Sequence, residues 1–317
     1  MTAQAGVRAK KSTTVRFFSA PPAIRASFAV LDRTAPALAA RWAERIWFTL
    51  PRPAAAARPV PVPGGHPFTV TVAGHLVAGQ TWGSGPAVYL MHGWGGQAGQ
   101  LAGFVAPLVG RGHRVVAFDA PSHGRSAPGA YGPRSSSIPE FATALTEVVA
   151  MHGPAHAVIA HSMGGTATAV ALCDGLRADR AVLLAPMASP VSYARQLADV
   201  LGFGEPTYRR LIARVERRVG APMHHFDVPE LGRAVAMPPT LIVHDREDAF
   251  TPVADGAAIA AAWPSARLHV TSGLGHRRLL RDPGVIAEVV DFLAPRHGGP
   301  QAPPIPGFRQ PSARIRT

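Results

Sequence analysis

Five short runs of apolar residues recur along the middle of the chain: Ala87–Met91, Val115–Phe118, Ala157–Ala160, Ala181–Leu184 and Leu241–Val243; a shorter one follows at Leu268–Val270. A strand with one face in water alternates apolar and polar residues, so runs without that alternation are buried on both faces. Between most of them lie stretches of helical periodicity, at about 97–110, 137–152, 163–176, 253–263 and 283–294. Strand then helix, repeated, predicts βαβ units and an α/β fold: a mostly parallel sheet flanked by helices. Phe68–Val72 and His75–Trp82, separated by Ala73-Gly74, predict a hairpin ahead of the first buried strand. The last helix is marked by Asp282 as cap, Pro283 at its first position, and Val285, Val289 and Phe292 on its inner face.

The two ends of the chain read differently. Residues 1–60 hold ten Lys/Arg against two acids, Asp32 and Glu44, and residues 296–317 hold four arginines and no acid. The rest is nearly neutral, so the net charge of +13 sits on the ends. Basic ends give weak, salt-sensitive attraction to anionic surfaces, but no nucleic-acid-reading module is visible, so no specific nucleic-acid partner is expected. Residues 1–34 read as a basic, flexible leader, residues 35–60 as a helix and a Pro/Ala linker, and residues 296–317 as a disordered Pro/Arg-rich tail. Within the helix, Leu38, Trp42 and Ile46 recur on one face, which predicts docking on the main domain. No apolar run reaches the roughly 18 residues of a membrane-spanning helix, and no secretory apolar segment follows Lys10-Lys11, so a cytoplasmic protein is expected. The one cysteine, Cys173, excludes an intramolecular disulfide. Oligomeric state is not legible.

One segment breaks the alternation. Residues 187–237 carry helical patterns at about 190–202 and 206–219 with no strand between them, which predicts a helical cap inserted over the sheet edge. The arginines Arg209, Arg210, Arg214, Arg217 and Arg218 fit either a solvated helix face or recognition of an acidic substrate.

In an open α/β sheet, function gathers at the carboxyl ends of the strands. After Ala157–Ala160 comes His161-Ser162-Met163-Gly164-Gly165 and then a helix. A serine on so tight a strand-to-helix turn needs small neighbours two before and two after, here Ala160 and Gly164. The turn exposes the Ser162 hydroxyl and aims the Met163 amide toward a developing oxyanion. After Ala87–Met91 comes His92-Gly93-Trp94-Gly95-Gly96, whose Trp94 amide is the second candidate donor. After Leu241–Val243 comes His244-Asp245-Arg246-Glu247-Asp248, three acids in four positions, any of which can orient a histidine. After Leu268–Val270 comes Gly273-Leu274-Gly275-His276, before the last helix.

Together these motifs are specific. With Phe118-Asp119-Ala120-Pro121-Ser122-His123-Gly124-Arg125-Ser126 and Asp248-Ala249-Phe250-Thr251-Pro252, residues 61–295 resemble the α/β-hydrolase superfamily, in particular its cofactor-independent serine esterase-like members. Carried over by position, the resemblance implies Ser162 as nucleophile, His276 as base and Asp248, four residues before Pro252, as acid, with Asp245 its rival. It implies the backbone N–H groups of Trp94 and Met163 as the oxyanion hole. Ala160 replaces the usual glycine before the serine, and Ser122 stands where glycine is common. His92, His123, His161 and Asp119 read as structural.

The resemblance implies hydrolysis of a carboxylic ester by acyl transfer, acting on a small-molecule ester or related acyl substrate with no metal and no organic cofactor. Other serine chemistry of the fold (thioester or C–C cleavage, perhydrolysis) and a catalytically idle interaction protein are the alternatives. Tyr193, Leu197, Leu201, Phe203 and Tyr208 of the cap are expected to roof an apolar acyl pocket over Ser162.

Overall fold

The computed structural model describes residues 20–51 and 62–294. At its centre is an eight-stranded sheet. Its strands are β1 (His66–Val72), β2 (His75–Trp82), β3 (Ala87–Met91), β4 (Arg114–Phe118), β5 (Ala155–His161), β6 (Ala178–Leu184), β7 (Thr240–Asp245) and β8 (Ala266–Thr271). In space their order is β1-β2-β4-β3-β5-β6-β7-β8. β1 and β2 form the expected antiparallel hairpin, and β2 runs antiparallel to β4. Every pairing from β4 through β3 to β8 is parallel. The chain winds outward one way from β3 to β4 and the other way from β5 onward. That reversal opens a crevice at the carboxyl ends of β3 and β5, the place where open α/β sheets build their sites.

The helices are α1 (Pro22–Thr34), α2 (Pro36–Phe48), α3 (Val105–Gly110), α4 (Ile138–His152), α5 (Met163–Cys173), α6 (Pro190–Leu201), α7 (Glu205–Val219), α8 (Val228–Ala234), α9 (Val253–Ala262), α10 (Gly275–Arg278) and α11 (Pro283–Leu293). Alternate residues of the buried strands serve opposite layers, which is why runs such as Val115–Phe118, Ala157–Ala160 and Leu241–Val243 within them are continuously apolar. Tyr89 and Met91 pack with Phe141 and Leu145 of α4 and Ala167 of α5. Val88 and Leu90 pack with Leu108 of α3 and with Val285 and Val289 of α11. Asp282 caps α11 by accepting from the Val285 N–H at 2.9 Å, as its sequence predicts. Residues 98–104, expected as ordinary helix, are wound as a 3-10 helix.

A third apolar cluster lies off the sheet, where α1 and α2 meet α6 and α7. It corrects the reading of residues 20–34 as part of a flexible leader: they form α1, whose Phe28 is buried and stacks on Trp42 with ring centroids 4.5 Å apart. Ile24, Phe28 and Leu31 supply the apolar face, a spacing shorter and more dilute than that of α2. Polar contacts fix both ends of the docked helix. Arg25 donates to the Asp199 carbonyl at 2.8 Å and also to that of Val200, at the carboxyl end of α6. Asp32 accepts from the Thr207 N–H at 3.3 Å, at the amino end of α7. Cation at a helix carboxyl end and anion at an amino end are the favourable placements. Burial raises the Asp32 carboxyl, but hydrogen bonds from Thr207 and Gly204 outweigh it and hold its pKa below the ordinary value.

The expected leader over residues 1–19, the linker over residues 53–61 and the tail over residues 296–317 lie outside the described residues. Among those described, no helix is long and apolar enough to cross a membrane.

Candidate active site

Ser162 closes β5 and opens α5 with φ 54° and ψ −126°. A side chain rarely adopts that conformation, and the surrounding contacts must hold it there. Two glycines allow the close approach. A Cβ on Gly164 would stand 2.4 Å from the His92 carbonyl oxygen, and one on Gly93 would stand 2.8 Å from the Ser162 Cβ. With glycine at both, the loop after β3 lies directly against the serine turn. Trp94 and Met163, the two candidate oxyanion donors, flank that contact.

Neutral histidines lock the loop. His92 Nδ1–H donates to the Gly93 carbonyl at 2.8 Å while Nε2 accepts from the Ala120 N–H at 2.9 Å. His123 repeats the device, donating to the Pro121 carbonyl at 2.8 Å and accepting from the Gly95 N–H at 3.1 Å. Burial pushes His92 down to about 4 and His123 to about 3, so near neutral pH each ring keeps one donor and one acceptor. Asp119 ties the next loop, accepting from the Ala98 and Arg125 N–H groups at 2.8 and 2.9 Å.

Across the crevice, His276 Nδ1–H donates to Asp248 Oδ2 at 2.7 Å. Asp248 is buried and also accepts from the Phe250 N–H at 2.7 Å, the Thr251 N–H at 3.0 Å and the Thr251 hydroxyl at 2.9 Å. Burial by itself raises this carboxyl, but the His276 hydrogen bond and charge and the backbone donors lower it below 3.8. Asp245 does not face His276. It accepts from the Thr271 hydroxyl at 2.7 Å and from the Leu274 and Glu247 N–H groups at 3.0 Å each, bracing the loop that carries the histidine. From below, His161 Nε2–H donates to the His276 carbonyl at 2.9 Å; burial and the neighbouring His276 hold His161 far below its usual pKa, hence neutral. Thr251, which the sequence did not single out, is fully buried beside Asp248.

Ser162 and His276 open on one cleft of about 660 Å³. Its outer wall comes from α2 and the residues after it: Trp42, Arg45, Ile46, Leu50 and Pro51. A smaller apolar pocket of about 80 Å³ shares Trp94 with this cleft and is lined by Met163, Ile138, Met187, Tyr193 and Phe226. Of the five cap residues expected to roof the site, Tyr193 alone lines this pocket. Leu197, Leu201, Phe203 and Tyr208 are packed instead against α1 and α2. Much of the cap's apolar surface is thus covered by the N-terminal helices, while Met187, Tyr193, Met223 and Phe226 of the same segment face the apolar pocket. Two arginines of α7 also face the N-terminal helices: Arg214 pairs with the buried Glu44 at 2.5 Å and Arg218 at 3.8 Å, while Arg209 pairs within α7 with Glu205 at 2.9 Å.

The Alpha/beta hydrolase family model matches residues 88–289, well over half of the chain. The chain belongs to this family. Among curated relatives, this α/β hydrolase is 26% identical over 258 residues to a non-heme haloperoxidase of Rhodococcus erythropolis, covering 66% of the chain and 92% of that protein. It is 28% identical over 234 residues to a 2-hydroxy-6-oxononadienedioate/2-hydroxy-6-oxononatrienedioate hydrolase of Pseudomonas putida, covering 60% of the chain and 80% of that protein. Among solved structures, a hydrolase from Pseudomonas aeruginosa superposes with a TM-score of 0.57 at 19% identity, covering 73% of this α/β hydrolase and 100% of that chain.

Proposed function

We propose that the protein is a serine hydrolase that cleaves a carboxylic ester through an acyl-enzyme. The observation that carries the reading is the hydrogen bond of 2.7 Å between His276 Nδ1 and the buried Asp248, with Ser162 on the same cleft. Asp248 fixes the tautomer in which His276 Nε2 is free of its proton and stabilises the imidazolium that forms. His276 takes the Ser162 hydroxyl proton as the oxygen attacks the carbonyl. The Trp94 and Met163 N–H groups receive the oxyanion, in a loop already fixed by His92 and His123. The protonated His276 then gives its proton to the leaving alcohol. Water, deprotonated by His276, releases the acid and restores the serine.

The test is turnover of p-nitrophenyl esters of graded acyl length by the wild type and by Ser162→Ala. The reading expects hydrolysis that the substitution abolishes without unfolding the protein. Turnover surviving in Ser162→Ala overturns it. The similarity to the haloperoxidase and to the dienedioate hydrolase supports a second reading, the same acyl chemistry with peroxide as acceptor or a C–C bond as the one cleaved. A peroxide-dependent halogenation assay and a dienedioate substrate separate it from simple ester cleavage.

A further inference from the structure

The cleft at Ser162 and the apolar pocket that shares Trp94 with it differ in chemistry, and the proposed reaction assigns them different parts of the substrate. A leaving group must take its proton from His276, so it lies on the His276 side of the serine. That side is the wider cleft, and three arginines from separate elements line it: Arg45 from α2, Arg134 from the loop before α4, and Arg277 from α10. No carboxylate lines it among the described residues. The nearest acid, Asp248, lies beneath His276 and is saturated by hydrogen bonds. Glu44, next to Arg45 in sequence, turns the other way to Arg214.

None of the three arginines forms an ion pair with a described carboxylate. All three are exposed, and two have a side-chain contact. Arg134 Nη2 donates to the Leu50 carbonyl at 2.7 Å, and the Leu50 N–H returns a bond to the Arg134 carbonyl at 2.8 Å. The Arg277 guanidinium carbon lies 5.7 Å from the centre of the Phe250 ring. The apolar pocket, assigned to the acyl side, is lined by Met163, Met187, Ile138 and Phe226, with no arginine or lysine.

Resting on the serine-hydrolase reading, we propose that the natural substrate joins an apolar acyl group to an anionic leaving group, an alcohol or thiol bearing a carboxylate or phosphate that Arg45, Arg134 and Arg277 bind. Guanidinium groups remain charged at any working pH and pair with both anions through forked hydrogen bonds. Hydrolysis then yields the free acyl acid and the anionic alcohol or thiol, which His276 protonates.

A matched pair of esters tests this: butyryl esters of 4-nitrophenol and of 3-carboxy-4-nitrophenol, which differ by one carboxylate on the leaving group. The expected result is a kcat/KM about tenfold or more higher for the anionic ester, a preference that shrinks as salt is raised from about 0.05 to about 0.5 M. Arg45→Gln and Arg277→Gln each lower the anionic-to-neutral ratio about threefold or more. Binding of 3-carboxy-4-nitrophenol and of 4-nitrophenyl phosphate, each compared with 4-nitrophenol by difference absorbance, needs no turnover and tells carboxylate from phosphate. Tighter binding of either anion, weakened by the arginine substitutions, supports the anion site whatever the catalytic outcome. A ratio at or below one, or anion binding indifferent to both substitutions, overturns it even if Ser162-dependent ester hydrolysis stands. Absence of any Ser162-dependent turnover with intact anion binding overturns the hydrolase reading instead.

Discussion

Asp248 and His276, 28 residues apart in sequence, share a hydrogen bond of 2.7 Å, whereas Asp245, at the end of β7, accepts from Thr271, Leu274 and Glu247 and not from the histidine ring. The two aspartates therefore predict different failures. Asp248→Asn presents a neutral amide to Nδ1 and favours the wrong tautomer, so kcat falls by about three to four orders of magnitude with the fold intact. Asp245→Asn loosens the loop and lowers stability, with the larger effect on Tm and a smaller one on kcat. Esterase kinetics and thermal unfolding of both variants check this; the reverse ranking in kcat contradicts the assignment.

Helix α2 forms part of the cleft wall, and α1 packs against that helix. A chain beginning at Ala20 retains the Phe28–Trp42 stack and is expected to keep wild-type turnover and Tm. Phe28→Ala empties a fully buried site shared by α1, α2 and the segment after α6, and costs about 3–5 kcal/mol, read by urea denaturation. A chain beginning at Val62 lacks the wall formed by Trp42, Arg45 and Ile46 and exposes the apolar faces of α6 and α7, so it is expected to aggregate. A soluble, fully active protein from that start contradicts the packing described.

On the proposed reading, the smaller pocket takes the acyl chain. Its volume of about 80 Å³, against about 660 Å³ for the cleft at Ser162, suits a short acyl chain. Rates are expected to rise from acetate to about butyrate and then fall. Met187→Trp, on the pocket wall, shifts the optimum to acetate. Leu197→Ala, in the helical cluster, leaves the length profile within about twofold and lowers stability by about 2–5 kcal/mol. A changed profile in Leu197→Ala with Met187→Trp silent contradicts the placement of the pocket.

The strands and the order of the chemical groups were legible because each has a local signature. Runs such as Val88-Tyr89-Leu90-Met91 cannot sit in a half-exposed strand, and Ser162, Asp248 and His276 each follow one of the buried or shorter runs at a turn. What packs on what was not local. The faces of α6 and α7 announce burial through Leu197, Leu201 and Tyr208, but periodicity does not say which body does the burying, and the partner proved to be α1 and α2. The rival acids Asp245 and Asp248 were separable only by the resemblance, since the turn that aims one of them depends on Thr251 and the backbone after it. Arg45 and Trp42 joined the site only through a helix docked more than a hundred residues away from Ser162 in sequence.

A half-buried carboxylate gives a pH signature of its own. Asp255 accepts from Tyr193 Oη and from the Ala188 N–H, both at 3.0 Å, yet burial keeps its pKa above 3.8. A group raised in the folded state holds its proton longer there than in the unfolded chain, so stability falls as pH rises from 3.8 through the folded value and then levels. Asp248 has the opposite sign: its contribution is present above 3.8 and is lost as pH falls through its lowered folded value. Asp255→Asn removes the first slope, so the variant gains stability relative to wild type as pH rises from about 4 to about 7, measured by denaturation at each pH. A difference that stays constant across that range contradicts the burial described for Asp255.

The central claim is that Ser162 is a nucleophile activated by His276, and covalent labelling with a fluorophosphonate reads it most directly. Intact-mass and peptide mapping are expected to find one adduct, on Ser162, lost in Ser162→Ala and formed at least about a hundredfold more slowly in His276→Ala. An unlabelled wild type, or an adduct that forms at the same rate without His276, contradicts the account.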